Sequence, residues 1–161
     1  MTKFEKPIQD YYNDDAAICY GCGRNNPKGL HIKTYWDGEF GICRFSPREE
    51  HTAFPGAIYG GLLASLIDCH SIGTAIAAMY DREGRTPDTA PEITCVTGNL
   101  NVTYLKPTPT NQELVVKARI LQLTERKAIV QCSIYASELE TVRGEVVAVR
   151  IQSRLTHAGH K

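Results

Sequence analysis

The chain has 161 residues, 42% of them apolar, enough to bury one substantial core and short enough that a single domain is expected. Lys plus Arg count 18 and Asp plus Glu count 18, so no net field would hold the protein on nucleic acid or on an anionic membrane surface. The opening residues MTKFEKPIQDYYNDDAA contain no apolar run of signal-peptide length, and no membrane insertion is expected, which makes the cytoplasm the expected location. Cysteines stand at positions 19, 22, 43, 69, 95 and 132, and in such a setting reduced thiols are expected rather than a disulfide framework.

Residues 1–18 mix polar and aromatic side chains without a sustained period and are expected to form an arm that lies on the surface or wraps a neighbour. The stretch from Cys19 to Gly29 is dense in turn formers and reads as an ordered loop. Leu30 to Tyr35 and Glu39 to Phe45 read as two strands joined through Asp37-Gly38, a hairpin signal. From about Tyr59 to Tyr80 the chain carries Leu62, Leu63, Leu66, Ile67, Ile72, Ile76 and Met79 with alanines between them, a helix apolar on nearly every face and therefore buried. Asp81 to Pro91 reads as a loop. Four strands are expected near 93–105, 113–123, 127–136 and 141–153. The order of two strands, one buried helix and four strands predicts an α+β fold in which one antiparallel sheet wraps one long central helix. A sheet so arranged leaves edges uncovered, which predicts at least a dimer.

Asp68 falls in the middle of the apolar helix, where a buried carboxylate is costly without compensation. It is either a structural group bonded to a neighbouring strand or subunit, or a functional one. Gly60 and Gly61 open the helix; they permit a tight turn, and they also leave the backbone N–H groups of the first turn accessible to a ligand carbonyl at the positive end of the helix dipole. In the strand after the helix, Val96, Leu100, Val102 and Tyr104 alternate with Thr97, Asn99, Asn101 and Thr103, giving an apolar and a polar face. Thr97 and Asn99 on that polar face are half-exposed strand filler or ligand contacts, and Gly98 between them permits a close approach. Ser65 and Ser71 lie three residues on either side of Asp68 and can share its face; His70 is turned about 200° away and forms no dyad with it. His51 precedes the helix in a loop from which it could reach the site.

Cys19-x-x-Cys22 suggests zinc, but a structural site takes four ligands and no second Cys or His pair stands at suitable spacing, so no metal is assigned. No glycine-rich phosphate loop joins a strand to a helix, and neither a nicotinamide nor ATP is implied.

Three segments resemble hotdog-fold thioesterases of the phenylacetate-pathway, or PaaI-like, type within the 4-hydroxybenzoyl-CoA thioesterase superfamily. These are Cys19-Tyr-Gly-Cys-Gly-Arg-Asn-Asn-Pro-Lys-Gly-Leu30, Phe54-Pro-Gly-Ala-Ile-Tyr-Gly-Gly-Leu-Leu-Ala-Ser-Leu-Ile-Asp68 and Thr97-Gly-Asn-Leu-Asn-Val-Thr-Tyr-Leu-Lys-Pro107, in the family's order. The resemblance implies a hotdog domain over 19–155 between the arm and a tail at 156–161, and a homodimer often paired again into a homotetramer. It implies acyl-CoA bound at the subunit interface and hydrolysed to free acid and CoA, with no cofactor beyond the coenzyme A of the substrate. Asp68 would be nucleophile or general base, Gly61 N–H the oxyanion donor and Thr97 an orienting group, with Tyr59, Gly60, Ser65, Ser71, His51 and Asn99 about the substrate. Asp68 stands about seven residues, roughly 10 Å, beyond Gly61, and the implied dimer brings one subunit's helix N-terminus to the other's Asp68. Tyr59 stands where these relatives carry the histidine of a His-Gly-Gly, so an acyl-CoA-binding protein without hydrolysis is the alternative. A hotdog dehydratase or hydratase uses another motif, not found here.

Overall fold

A computed structural model describes residues 1–152; the expected tail at 156–161 and the last residues of the expected domain lie outside the described residues. The strands are β1 (Tyr35–Trp36), β2 (Phe40–Phe45), β3 (Thr52–Phe54), β4 (Ala57–Ile58), β5 (Thr94–Tyr104), β6 (Leu114–Leu123), β7 (Lys127–Ala136) and β8 (Leu139–Ile151), with the helix α1 (Gly60–Arg82) between β4 and β5. Six strands form one antiparallel sheet in the order β1-β2-β6-β7-β8-β5, and β3 and β4 form a separate small pair. The sheet wraps α1, which packs on β2, β5, β6, β7 and β8. β6, β7 and β8 place alternate apolar residues inward: Val116, Ala118, Val130, Cys132, Ile134, Val146 and Ala148 are buried in one core with Leu63, Leu66, Ile67 and Ile76 of α1. α1 is apolar and long enough to cross a membrane by composition, and its enclosure by the sheet accounts for that composition.

The hairpin at Asp37-Gly38 forms as the sequence predicts. Asp37 Oδ1 accepts from the N–H groups of Glu39 and Phe40 at 2.8 and 2.6 Å, and Gly38 takes φ +104°. The first strand is shorter than expected, because 31–34 are not in the ladder; Thr34 O accepts instead from Ile8 N–H of the N-terminal segment at 2.9 Å and Ile32 N–H donates to Gly21 O at 3.0 Å, while Lys3 N–H donates to Trp36 O of β1 at 2.7 Å.

That segment departs from the expectation of a surface arm. Phe4, Ile8, Gln9 and Ala17 are buried in the domain's own core, so residues 1–18 are part of the domain and not an appendage to it. Burying Ile8 alone stabilises the attachment by about 1.5–3 kcal/mol. A buried polar chain completes it: Thr34 N–H donates to Gln9 Oε1 (2.7 Å), Gln9 Nε2 donates to Thr34 Oγ1 (3.0 Å), and Thr34 Oγ1 meets His70 Nδ1 (2.8 Å). His70 Nε2 lies 3.0 Å from Gly41 O, which can only accept, so this nitrogen carries the proton and Nδ1 accepts from the Thr34 hydroxyl. The ring is neutral, its pKa pushed down to about 4 by burial. His70 thus points into the core on the side of α1 away from Asp68, as the helical spacing requires.

Candidate active site

Asp68 is half-buried on α1, and the Thr97 hydroxyl of β5 donates to its Oδ1 at 2.5 Å. Hydrogen bonds of this length between a hydroxyl and a carboxylate belong to the strong, charge-assisted class. No other hydrogen bond to the Asp68 carboxylate is made among the described residues, so Oδ2 remains available to accept from a ligand or water.

A β-bulge determines why Thr97 can reach the helix. The register of β5 on β8 pairs Thr97 with Ala148 and then Asn99 with Val147, skipping Gly98. A Cβ at Gly98 would lie 2.9 Å from Val149 Cγ2, so any larger residue at the bulge would have to displace that side chain. Directly paired residues share a face, and Ala148 and Val146 face α1. Thr97 therefore faces the helix with Cys95, and beyond the bulge so do Leu100, Val102 and Tyr104. The expected alternation is corrected here: Thr97 does not share a face with Asn99, Asn101 and Thr103. Asn99, paired with Val147, points to the far side of the sheet and does not join Asp68.

Asp68 and Thr97 open into a cavity of about 320 Å³ between α1, the start of β5 and the N-terminal segment. Its wall is largely apolar and aromatic, with Ile8, Tyr11, Tyr12, Ile72, Ile76 and Tyr80 among the lining residues. The tyrosine pair of the N-terminal segment is the part of this site that sequence reasoning missed. Two adjacent aromatics in an otherwise polar stretch were its one available signal.

The other expected residues gather elsewhere. Tyr59, Gly61, Ser65 and His51 line a second depression, of about 430 Å³, at the N-terminus of α1. Tyr59 is the N-cap residue but makes no side-chain cap, and its ring folds over Gly61 so closely that any Cβ there would overlap it. Gly60 O accepts from the Tyr104 hydroxyl at 2.7 Å. The Gly60 and Gly61 N–H groups take no backbone acceptor among the described residues, leaving them as the free donors of the first turn. His51 holds this corner in place. Its carbonyl accepts from Tyr59 N–H (2.8 Å), its Nδ1 accepts from Arg48 N–H (3.0 Å), and its ring lies against Phe45 at a centroid distance of 5.8 Å. Burial first, and then the Arg48 charge, lower its pKa.

Neither serine reaches Asp68. Ser65 donates back to Gly61 O at 2.9 Å, a local helix bond, and Ser71 is buried with its hydroxyl unpartnered among the described residues. Within one chain the structure thus joins Asp68 with Thr97, and separately Tyr59, Gly60, Gly61, Ser65 and His51.

β5 is the long free edge of the sheet, and Val96, Leu100, Tyr104 and the following Leu105 are exposed along it. Beside Asp68, the loop from Cys19 to Gly23 brings Cys19 and Cys22 to Cys69 of α1. Hydrogen bonds from Cys22 first, then Cys69, hold the Cys19 thiol far below its ordinary pKa; the bond with Cys19, followed by burial, pushes Cys22 up to about 12.

Comparison with known proteins places this architecture. The thioesterase superfamily profile matches residues 55–143. A thioesterase superfamily protein of Shewanella loihica, known from its crystal structure, is 39% identical over 89% of this chain and 99% of its own, with a TM-score of 0.66. The PaaI protein of the E. coli phenylacetic acid degradation operon shares the fold at a TM-score of 0.63, with 14% identity over 76% of this chain and 81% of its own. Mouse acyl-coenzyme A thioesterase 13 is 36% identical over 81 residues, half of each chain. The chain spans only 36% to 50% of the length of the curated acyl-coenzyme A thioesterases it matches. With the helix wrapped by its sheet and the profile spanning both, the chain belongs to the thioesterase superfamily.

Proposed function

We propose that this protein hydrolyses acyl-CoA thioesters, with Asp68 as the reacting carboxylate. The observation that carries the reading is Asp68 itself, a carboxylate held by Thr97 at the mouth of an apolar cavity with one oxygen left free. In the reaction a water oxygen bonds to the acyl carbon, the carbon–sulfur bond breaks, and the CoA sulfur leaves with the proton. Asp68 either takes the water's proton or first attacks the acyl carbon itself. Thr97 donates its single hydroxyl hydrogen bond to Oδ1, which fixes the carboxylate and directs Oδ2 to the substrate. A cavity at the low end of the roughly 300–1,000 Å³ range of small-ligand sites suits the acyl group, with the nucleotide of CoA outside. No cofactor is needed beyond water and the coenzyme A of the substrate.

The oxyanion donors of the proposal are the free N–H groups of Gly61 and its neighbour Gly60. Those groups lie about 10 Å along α1 from Asp68, beyond the reach of one bound carbonyl. The working unit is therefore a homodimer, open to further pairing into a tetramer, in which the exposed apolar edge of β5 is covered and one subunit's helix opening meets the other's Asp68. The free thiols support a reducing, cytoplasmic setting.

The Tyr59 ring lying over Gly61 favours a second reading, acyl-CoA binding without turnover. One experiment separates the two. Wild type and Asp68→Ala are incubated with short, medium, long-chain and aromatic acyl-CoAs, and free CoA is followed by chromatography. CoA release that vanishes in a folded, dimeric Asp68→Ala supports hydrolysis through Asp68. Binding by both proteins with no release from any substrate leaves the binding protein.

A further inference from the structure

The sequence offers two thiols at Cys19-x-x-Cys22 and no second pair. Folding supplies a third from a distant part of the chain: Cys69, on α1 directly after Asp68, completes a group whose three Sγ atoms all lie within 4.8 Å of one another. The Cys19 and Cys69 sulfurs are 3.9 Å apart. Zinc held by thiolates at about 2.3 Å in a tetrahedron needs sulfurs about 3.8 Å apart, so one edge already has its length and the others require closure of at most about 1 Å.

The surrounding backbone is arranged for this approach. A Cβ at Gly21 would overlap Cys69 Sγ, so the glycine between the two loop cysteines is what admits the loop to the helix. The loop is fixed in that position by Gly23 N–H to Cys19 O (2.8 Å), Leu30 N–H to Tyr20 O (2.8 Å) and Ile32 N–H to Gly21 O (3.0 Å). Cys22 is buried, Cys69 half-buried and Cys19 exposed, which gives an ion a path from solvent to two shielded ligands. Cys43, Cys95 and Cys132 are buried outside the group, the ordinary use of a cysteine as a small apolar residue.

We propose that Cys19, Cys22 and Cys69 bind a zinc(II) ion, three thiolates occupying three corners of its tetrahedron and the fourth corner facing the cavity that all three share with Asp68. Binding exchanges the thiol protons for metal–sulfur bonds with no change of oxidation state. The ion ties the Cys19–Gly23 loop to the residue next to Asp68. The site uses none of Asp68, Thr97, Gly60 and Gly61, and its test reads metal rather than activity.

The full chain, reduced with a non-thiol phosphine, would be titrated with Zn²⁺ and with Co²⁺ as a spectroscopic probe. The expected result is one tightly held ion per chain, a thiolate-to-cobalt charge-transfer band with the visible bands of tetrahedral cobalt, and displacement of cobalt by zinc. Cys19→Ser and Cys69→Ser should each weaken binding by more than the ~100-fold that loss of an outer-shell partner costs. Cys19 is exposed, so its variant keeps the fold and the comparison stands even if Cys22→Ser does not fold. Wild type without the charge-transfer band overturns the proposal, as do serine variants that bind like wild type. So does an intact mass two hydrogens lighter in protein isolated without reductant under nitrogen, which would make the cluster a disulfide and a spare thiol.

Discussion

Thr97→Val tests the bond on which the catalytic reading rests. The substitution keeps the branched shape that suits β5 and removes the hydroxyl that donates to Asp68 Oδ1 at 2.5 Å. A hydrogen bond to a charged group contributes about 1.5–3 kcal/mol. Thr97 is exposed and Asp68 only half-buried, so water recovers part of the loss and the expected cost lies near the lower bound, about 1.5–2 kcal/mol. At about 1.4 kcal/mol per factor of ten, that is a roughly 10–30-fold fall in kcat. The assay is initial-rate CoA release on the best acyl-CoA of the panel, with thermal unfolding and oligomeric state measured in parallel. Thr97→Ser, which restores the hydroxyl, should recover most of the rate. A Thr97→Val protein with wild-type kcat would show that Thr97 does not orient Asp68. A loss equal to that of Asp68→Ala would show that Thr97 reacts directly.

Three further outcomes follow from other parts of the molecule. The His70 pKa of about 4 against an ordinary 6.5 means the unfolded chain binds the extra proton between those values, so this residue's stabilisation is complete above pH 6.5 and disappears by pH 4, a loss of about 3 kcal/mol readable by urea unfolding across that window and removed in His70→Gln. Leu100→Lys places a charge on the exposed apolar edge of β5; sedimentation should show monomer and CoA release should fall together with it, whereas an active, undiminished dimer would move the interface elsewhere. Gly41→Ala drives a methyl into the Thr74 side chain, whose Oγ1 would lie 2.0 Å away, and should cost about 1–3 kcal/mol of stability by calorimetry, with CoA release per folded molecule retained.

Where local pattern and tertiary packing agree, the sequence was readable. α1 announces itself because a helix enclosed on all sides must be apolar on all sides, and the alternation of β6, β7 and β8 survives because each has one face on α1. The failures are tertiary. Residues 30–34 look like a strand but spend backbone groups on the Cys19–Gly29 loop, through Leu30 and Ile32, and on the N-terminal segment, through Thr34, pairings with no local signature. β5 looks regularly alternating, and a single skipped residue at Gly98 reverses which side chains face α1, so Thr97 faces the helix and Asn99 the far side of the sheet. Asp68 was visible because a carboxylate in an apolar helix demands a partner. Cys69 was invisible as a companion of Cys19 and Cys22 because only the fold brings that part of the helix to the loop.

The inward-packed N-terminal segment places part of the cavity wall outside the region that defines the family. Tyr11 and Tyr12 precede the matched span of 55–143, while Asp68 and Thr97 lie within it. If the cavity holds the acyl group, the reacting carboxylate lies within the matched span while part of the contact with the acyl group lies ahead of it. Exchanging residues 1–18 between relatives would then retune the acyl group accepted while leaving the reacting carboxylate untouched.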